Sequence, residues 1–156
     1  MDGGTKHIRR ECIVDGNPDK VHETFLSQVW WHGGFPFWVS MCLKTYQIEP
    51  SKDNNDTGLG GIRQVPTYLQ EEIVGAEKGK FVEYRVRRKA WLPINYHHGR
   101  VSFESSVVDT IESKTKVVWE ITYTPKWCFG GFLYFLFVIM IGGFFLPRLK
   151  TSCKSK

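Results

Sequence analysis

The chain of 156 residues has no closely spaced cysteines: Cys12, Cys42, Cys128 and Cys153 lie far apart, with no CxxC and no histidine at ligand spacing. That argues against a zinc site and against a disulfide framework, and it makes a reduced, cytosolic protein the expectation. The N-terminal MDGGTKHIRRE lacks the apolar core of a signal peptide. There is no glycine-rich phosphate loop, no defensible Ser-His-Asp arrangement and no carboxylate cluster, so neither nucleotide, triad nor metal chemistry is indicated, and no cofactor is expected. Repeats and low-complexity segments are absent as well. A strong charge of one sign is also lacking: 21 Lys and Arg stand against 16 Asp and Glu, a net +5. The densest basic group, Arg85, Arg87, Arg88 and Lys89, sits in a predicted strand and its exit rather than in a nucleic-acid motif, so nucleic acid is not an expected partner.

One further absence governs the rest. From Trp127 to Leu146, WCFGGFLYFLFVIMIGGFFL, no residue is charged. A helix of that length reaches roughly 30 Å, the thickness of a bilayer's hydrocarbon core. Residues 132–141 are apolar on every side, which calls for lipid or for burial all round. Two readings stay open: a tail anchor spanning a membrane with residues 1–126 in the cytosol, or a helix packed on its own, cytoplasmic, domain. On either reading the chain divides into a domain at 1–126, the apolar helix at 127–146 and a basic tail at 147–156, in which Cys153 is a candidate for acylation. Gly130-Gly131 and Gly142-Gly143 leave two readings open, close approach of a second copy in a homodimer through this helix or fraying of its two ends.

The remaining chain reads as short elements in a definite order. Residues 6–14 suggest a strand with one wet face; Asn17 and Pro18 then cap and open a helix over 18–29, with Val21, Phe25, Leu26 and Val29 at helical spacing. An aromatic turn, Trp30 to Trp38, leads to a second short helix over 36–43. Strands follow near 43–48, 60–65, 67–74 and 80–88, the last with Val82, Tyr84 and Val86 on one face. A polar, mobile loop is expected over 49–57. Residues 96–108 and 116–124 form a long hairpin with Val101 and Phe103 on one side and Val117, Trp119, Ile121 and Tyr123 on the matching side, ended by Pro125. The result is an α+β layout: a curved antiparallel sheet of about six or seven strands, two short helices and a long apolar C-terminal helix, enclosing a mostly apolar cavity.

Several strings, in this order, resemble the helix-grip superfamily of START-related, birch-pollen-allergen-like and polyketide cyclase/dehydrase-like proteins (SRPBCC). They are Asn17-Pro18-Asp19-Lys20-Val21, Gly61-Ile62-Arg63, Glu71-Glu72-Ile73-Val74, Phe81-Val82-Glu83-Tyr84-Arg85-Val86, Lys116-Val117-Val118-Trp119-Glu120-Ile121 and Tyr123-Thr124-Pro125. The resemblance implies a cavity for a lipid, a sterol-like or a polycyclic molecule, with or without chemistry, and transfers no active site. It departs at the end of the chain, where the superfamily's last helix has a polar outer face and this one does not.

The expected ligand-binding residues are Trp38, Arg63, Tyr84, Val86, Val101, Phe103, Val117, Trp119, Ile121 and Tyr123. Arg63 offers a planar fork for a polar head group. For acid–base chemistry the candidates are His98, Tyr84 and Glu72; His97 and His98 are neighbours on a strand, so at most one of them faces the cavity. Three functions follow: membrane-associated binding or transfer of a hydrophobic ligand, a cyclase- or dehydrase-like enzyme, or a membrane-held adaptor whose concave sheet is filled by its own side chains.

Overall fold

The computed structural model describes residues 4–35, 39, 41, 44–54, 56–65, 69–88, 93–106 and 113–154. Seven strands form one antiparallel sheet: β1 (Lys6–Asp15), β2 (Tyr46–Glu49), β3 (Ile62–Val65), β4 (Leu69–Glu77), β5 (Phe81–Arg88), β6 (Ile94–Ser106) and β7 (Lys114–Pro125), in the order β1-β7-β6-β5-β4-β3-β2. Register shifts in β2, β4 and β6 put two residues opposite one and bend the strands, which is how a sheet of this width acquires a concave face. The expected helix over 36–43 falls mostly outside the described residues, as does Trp38.

Helix α1 (Pro18–Thr24) begins as its sequence directs. The Asn17 side chain accepts from the Lys20 N–H at 2.9 Å and Pro18 takes a position whose N–H has no partner in any helix. The helix continues as a wide turn over Phe25–Trp30. The second helix, α2 (Gly130–Lys154), enters through a tight turn at Trp127–Phe129.

Both helices bury stripes at intervals of four. On α1 these are Val21, Phe25 and Val29 beside His22, Leu26 and Trp30; on α2 they are Leu133, Phe137, Ile141, Phe145, Leu149 and Cys153. At about 3.6 residues per turn such a stripe drifts about 40° per step and would walk off the sheet. Each helix corrects the drift with a wide turn whose end bonds to the fifth carbonyl back, Trp31 N–H to Leu26 at 2.9 Å and Leu146 N–H to Ile141. In α2 the wide turn, Met140–Phe145, also precedes Pro147, whose ring nitrogen has no hydrogen to offer Gly143. The helix therefore passes Leu146, where the sequence reading ended it, and the basic segment is its continuation. Leu149 and Cys153 belong to the same core as the sheet, so the Cys153 thiol is packed away rather than presented for acylation. The structure holds α2 in the grip position, against the concave face.

In the loop over 49–57, expected to be mobile, and just beyond it the described residues make several hydrogen bonds. Thr57 N–H donates to the Asp53 carboxylate at 3.0 Å, Lys52 N–H to the Leu59 carbonyl at 2.8 Å, and the buried His22 bridges the Thr57 carbonyl and the Gly79 N–H at 3.1 and 3.0 Å. His22 Nδ1 accepts, so Nε2 donates, and its ring stacks on Phe103. Burial lowers its pKa and holds it neutral. On the convex face Arg85 meets Glu72 and Arg87 meets Glu49, which pairs two members of the basic cluster with carboxylates on other strands.

Candidate functional site

A cavity of about 340 Å³ lies between the concave sheet and α2. Its wall is apolar over most of its extent: Phe35, Val39, Val65, Leu69 and Ile121 on the sheet and loop side, and Phe132, Leu136, Phe137, Ile139, Met140, Ile141, Phe144 and Phe145 from α2. The residues of α2 reach it because the wide turn keeps 137, 141 and 145 aimed at the sheet. The described part of the aromatic turn after α1 divides between core and cavity. Trp30 is fully buried in the core, whereas Gly33 and Phe35 join the cavity wall, with Phe35 packed on Phe144 and Phe145.

One polar row crosses this wall. It takes one inward side chain from each of four neighbouring strands: Arg63 on β3, Glu71 on β4, Tyr84 on β5 and His97 on β6. Arg63 and Glu71 face each other in the register; Nε of Arg63 donates to Glu71 Oε2 at 2.8 Å, and Nη2 forms an ion pair with the same oxygen at 2.7 Å. Nη1 donates to the carbonyls of Val29 and Trp30 at 3.1 and 2.7 Å, and the guanidinium lies 3.9 Å from the centre of the Trp30 ring. The arginine thus caps the C-terminal carbonyls of the α1 segment from across the fold. Three hydrogen bonds and the ion pair are all internal, so the fork expected to hold a ligand head group is mostly occupied by the protein itself.

Tyr84 stands directly opposite Gly99, whose missing side chain leaves room for the phenol. Tyr84 Oη accepts from Trp119 Nε1 at 2.8 Å. Burial pushes its pKa far up, and the negative charge of Glu71 adds to that. It is a neutral phenol at any physiological pH. His97 packs between Tyr84 and Phe137, with ring centres 5.7 and 5.6 Å away, and its Nδ1 is buried without a hydrogen-bond partner among the described residues. Desolvation therefore lowers its pKa to about 4.

That shift has a consequence for stability. An unfolded histidine titrates near pH 6.5, so between about 6.5 and 4 the unfolded chain binds the proton that the folded one refuses. Stability from this group is complete above about pH 6.5 and falls as the solution is acidified, by about 3 kcal/mol in all. His22 shifts the same way and adds to the loss. His97→Phe is expected to flatten the acid limb of stability against pH, measured by urea unfolding at a series of pH values; an unchanged slope would refute the assignment.

The residues named from sequence divide into groups. Arg63, Tyr84 and Ile121 line the cavity. Val101, Phe103, Val117, Trp119 and Tyr123 are buried on the same concave face but belong to the core beneath α1 and α2 rather than to the cavity wall, and Val86 is half-buried against that core. Two positions need correction by one residue. His98 is turned to the convex face, near Glu83 at 3.9 Å, and His97 is the inward one. Glu72 likewise faces outward to Arg85, and Glu71 is the inward carboxylate. The signal for both was the strand alternation: Val101 and Phe103 share parity with His97, and Leu69 and Ile73 share it with Glu71.

No family model and no curated protein sequence matches the chain. Solved structures do. The protein XoxI of Bacillus cereus superposes with a TM-score of 0.66 at 14% identity over 94% of each chain. A norcoclaurine synthase of Thalictrum flavum gives 0.67 at 14% identity, covering 99% of this chain and 98% of that one. Ara h 8.0201 gives 0.69 at 11% identity over 98% of this chain and all of its own length. Likeness at such identity concerns architecture, and the architecture is unambiguous: this chain has the helix-grip fold.

Proposed function

We propose that this domain binds a hydrophobic ligand in the cavity beneath α2 and exchanges it at a membrane. The observation that carries the reading is the cavity itself: about 340 Å³ walled by aliphatic and aromatic side chains and crossed by a single polar row. A site of that size and character suits a small lipid, a sterol-like or a polycyclic molecule. An adaptor whose sheet is filled by its own side chains would leave no such space. Norcoclaurine synthase, which shares the fold, has been solved with dopamine and hydroxybenzaldehyde, so the architecture is compatible with aromatic guests.

The test is organic-solvent extraction of the purified chain followed by mass spectrometry, together with titration by the fluorescent apolar probe ANS. A stoichiometric retained molecule, or saturable ANS binding lost in Met140→Trp, whose indole would fill the cavity, is expected. A native, folded chain that retains nothing and binds no probe would end the proposal.

A second reading, an acid–base enzyme, rests on Tyr84, His97 and Glu71 sharing one wall. With a pKa near 4 His97 is neutral at pH 7 and would act as a base rather than an acid. Turnover of a carbonyl or phenolic substrate that is lost in His97→Ala, while ligand affinity is kept, would favour it.

A further inference from the structure

The inward face of α2 explains only half of that helix. Its outward face carries Phe132, Phe135 and Ile139, with Phe132 53% and Phe135 63% exposed, and Phe129 is exposed in the turn before it. A run of large apolar groups on one side of a single helix is not an ordinary solvated surface. After the wide turn the helix exposes Lys150, Lys154 and Arg148, the last donating to Gln28 Oε1 at 3.1 Å, and Lys126 stands exposed at the other end. From Lys126 to the end of the chain there is no Asp or Glu at all.

We propose that this face docks on an anionic bilayer surface: α2 stays in the grip, lies in the plane of the interface with its phenylalanines among the acyl chains, and rests its flanking cations on lipid phosphates and carboxylates. The chemistry matches an interfacial helix, apolar on one side and cationic at its flanks. It does not match a partner protein, whose surface would have to offer both a large apolar groove and acidic rims. Nor does it match a spanning helix, because Leu133, Phe137, Ile141, Phe145, Leu149 and Cys153 are committed to the sheet along the whole length of α2. Phe132 and Ile139 border both the cavity and the exterior, so docking would place the cavity mouth at the lipid. The inference deepens the reading of a membrane-exchanged ligand and rests on it, yet the two fail separately.

The experiment floats the full chain with phosphatidylcholine vesicles, with and without phosphatidylserine. Binding to the phosphatidylserine vesicles is expected, weakened by salt and released by alkaline carbonate. Phe135→Asp, at a side chain that touches neither core nor cavity, is expected to lower partitioning by roughly tenfold or more. Lys150→Gln and Lys154→Gln are each expected to lower it roughly 5-fold. All three variants should keep the melting temperature and any retained ligand. Carbonate-resistant binding would overturn the proposal in favour of a spanning helix; equal binding to phosphatidylcholine alone would overturn the anionic part of it. A dimer that Phe135→Asp dissociates, with no vesicle binding, would assign the face to a second copy. A chain that keeps its ligand but never floats overturns docking and spares the cavity, whereas docking by a chain without ligand upholds the face and removes the cavity reading.

Discussion

Arg63→Met is expected to destabilise the fold by about 3–5 kcal/mol, the range for removing one member of a buried ion pair. The side chain it removes satisfies Glu71 and two carbonyls at the end of the α1 segment at once. Without it the Glu71 carboxylate faces an apolar wall with no countercharge. Arg63→Met combined with Glu71→Leu is expected to recover a large part of the loss, because two apolar groups need no partners; the orphaned carbonyls of Val29 and Trp30 keep the recovery incomplete. Urea midpoints of the two single variants and the double variant measure this directly. A single-variant loss within 1 kcal/mol would mean that water reaches the pair, and that the row is open to solvent rather than sealed.

Gly99→Ala is the second large effect. A methyl group at Gly99 would overlap Cζ, Cε1 and Oη of Tyr84, which are cross-strand neighbours and not the far end of a flexible chain. The ring has to swing toward the cavity. Overpacking of this kind costs about 1–3 kcal/mol, and the swing also removes the acceptor of the buried Trp119 indole, a further loss of about 1–3 kcal/mol. The displaced phenol occupies ligand space, so ANS binding is expected to fall with stability. Tyr84→Phe isolates the second part, since it deletes the acceptor and leaves the ring in place. Gly99→Ala on a Tyr84→Ala background is expected to cost far less than on the parent, a coupling that a double-mutant cycle reads out. Additive losses would show that the two residues do not share the space.

Much of this arrangement was legible from residue types and their alternation. Val82, Tyr84 and Val86, and likewise Val117, Trp119, Ile121 and Tyr123, announce strands with one apolar face, and the structure sets those faces on the concave side. Asn17-Pro18 announces a helix start and delivers one. The choice of His98 over His97 and of Glu72 over Glu71 failed for a shared reason. A polar residue on an apolar face looks misplaced in sequence, and only its partner, or the lack of one, explains it. Arg63 is that partner for Glu71, eight residues away in the chain but opposite it across a strand pair.

The apolar helix shows the division most clearly. By itself the sequence determined that most of 127–146 would be helical, long enough for a bilayer and, over 132–141, in need of cover on every side, since those properties follow from side-chain chemistry and the rise of a helix. What it could not determine was which cover each side would find. Tertiary structure decided that: the wide turn at Met140–Phe145 holds a four-residue stripe against the sheet, carries the helix past Pro147, and leaves the opposite face outside with its phenylalanines. The physical reason is that burial belongs to pairs of surfaces, and the second surface, the concave side of a sheet, exists only once strands from distant parts of the chain have paired.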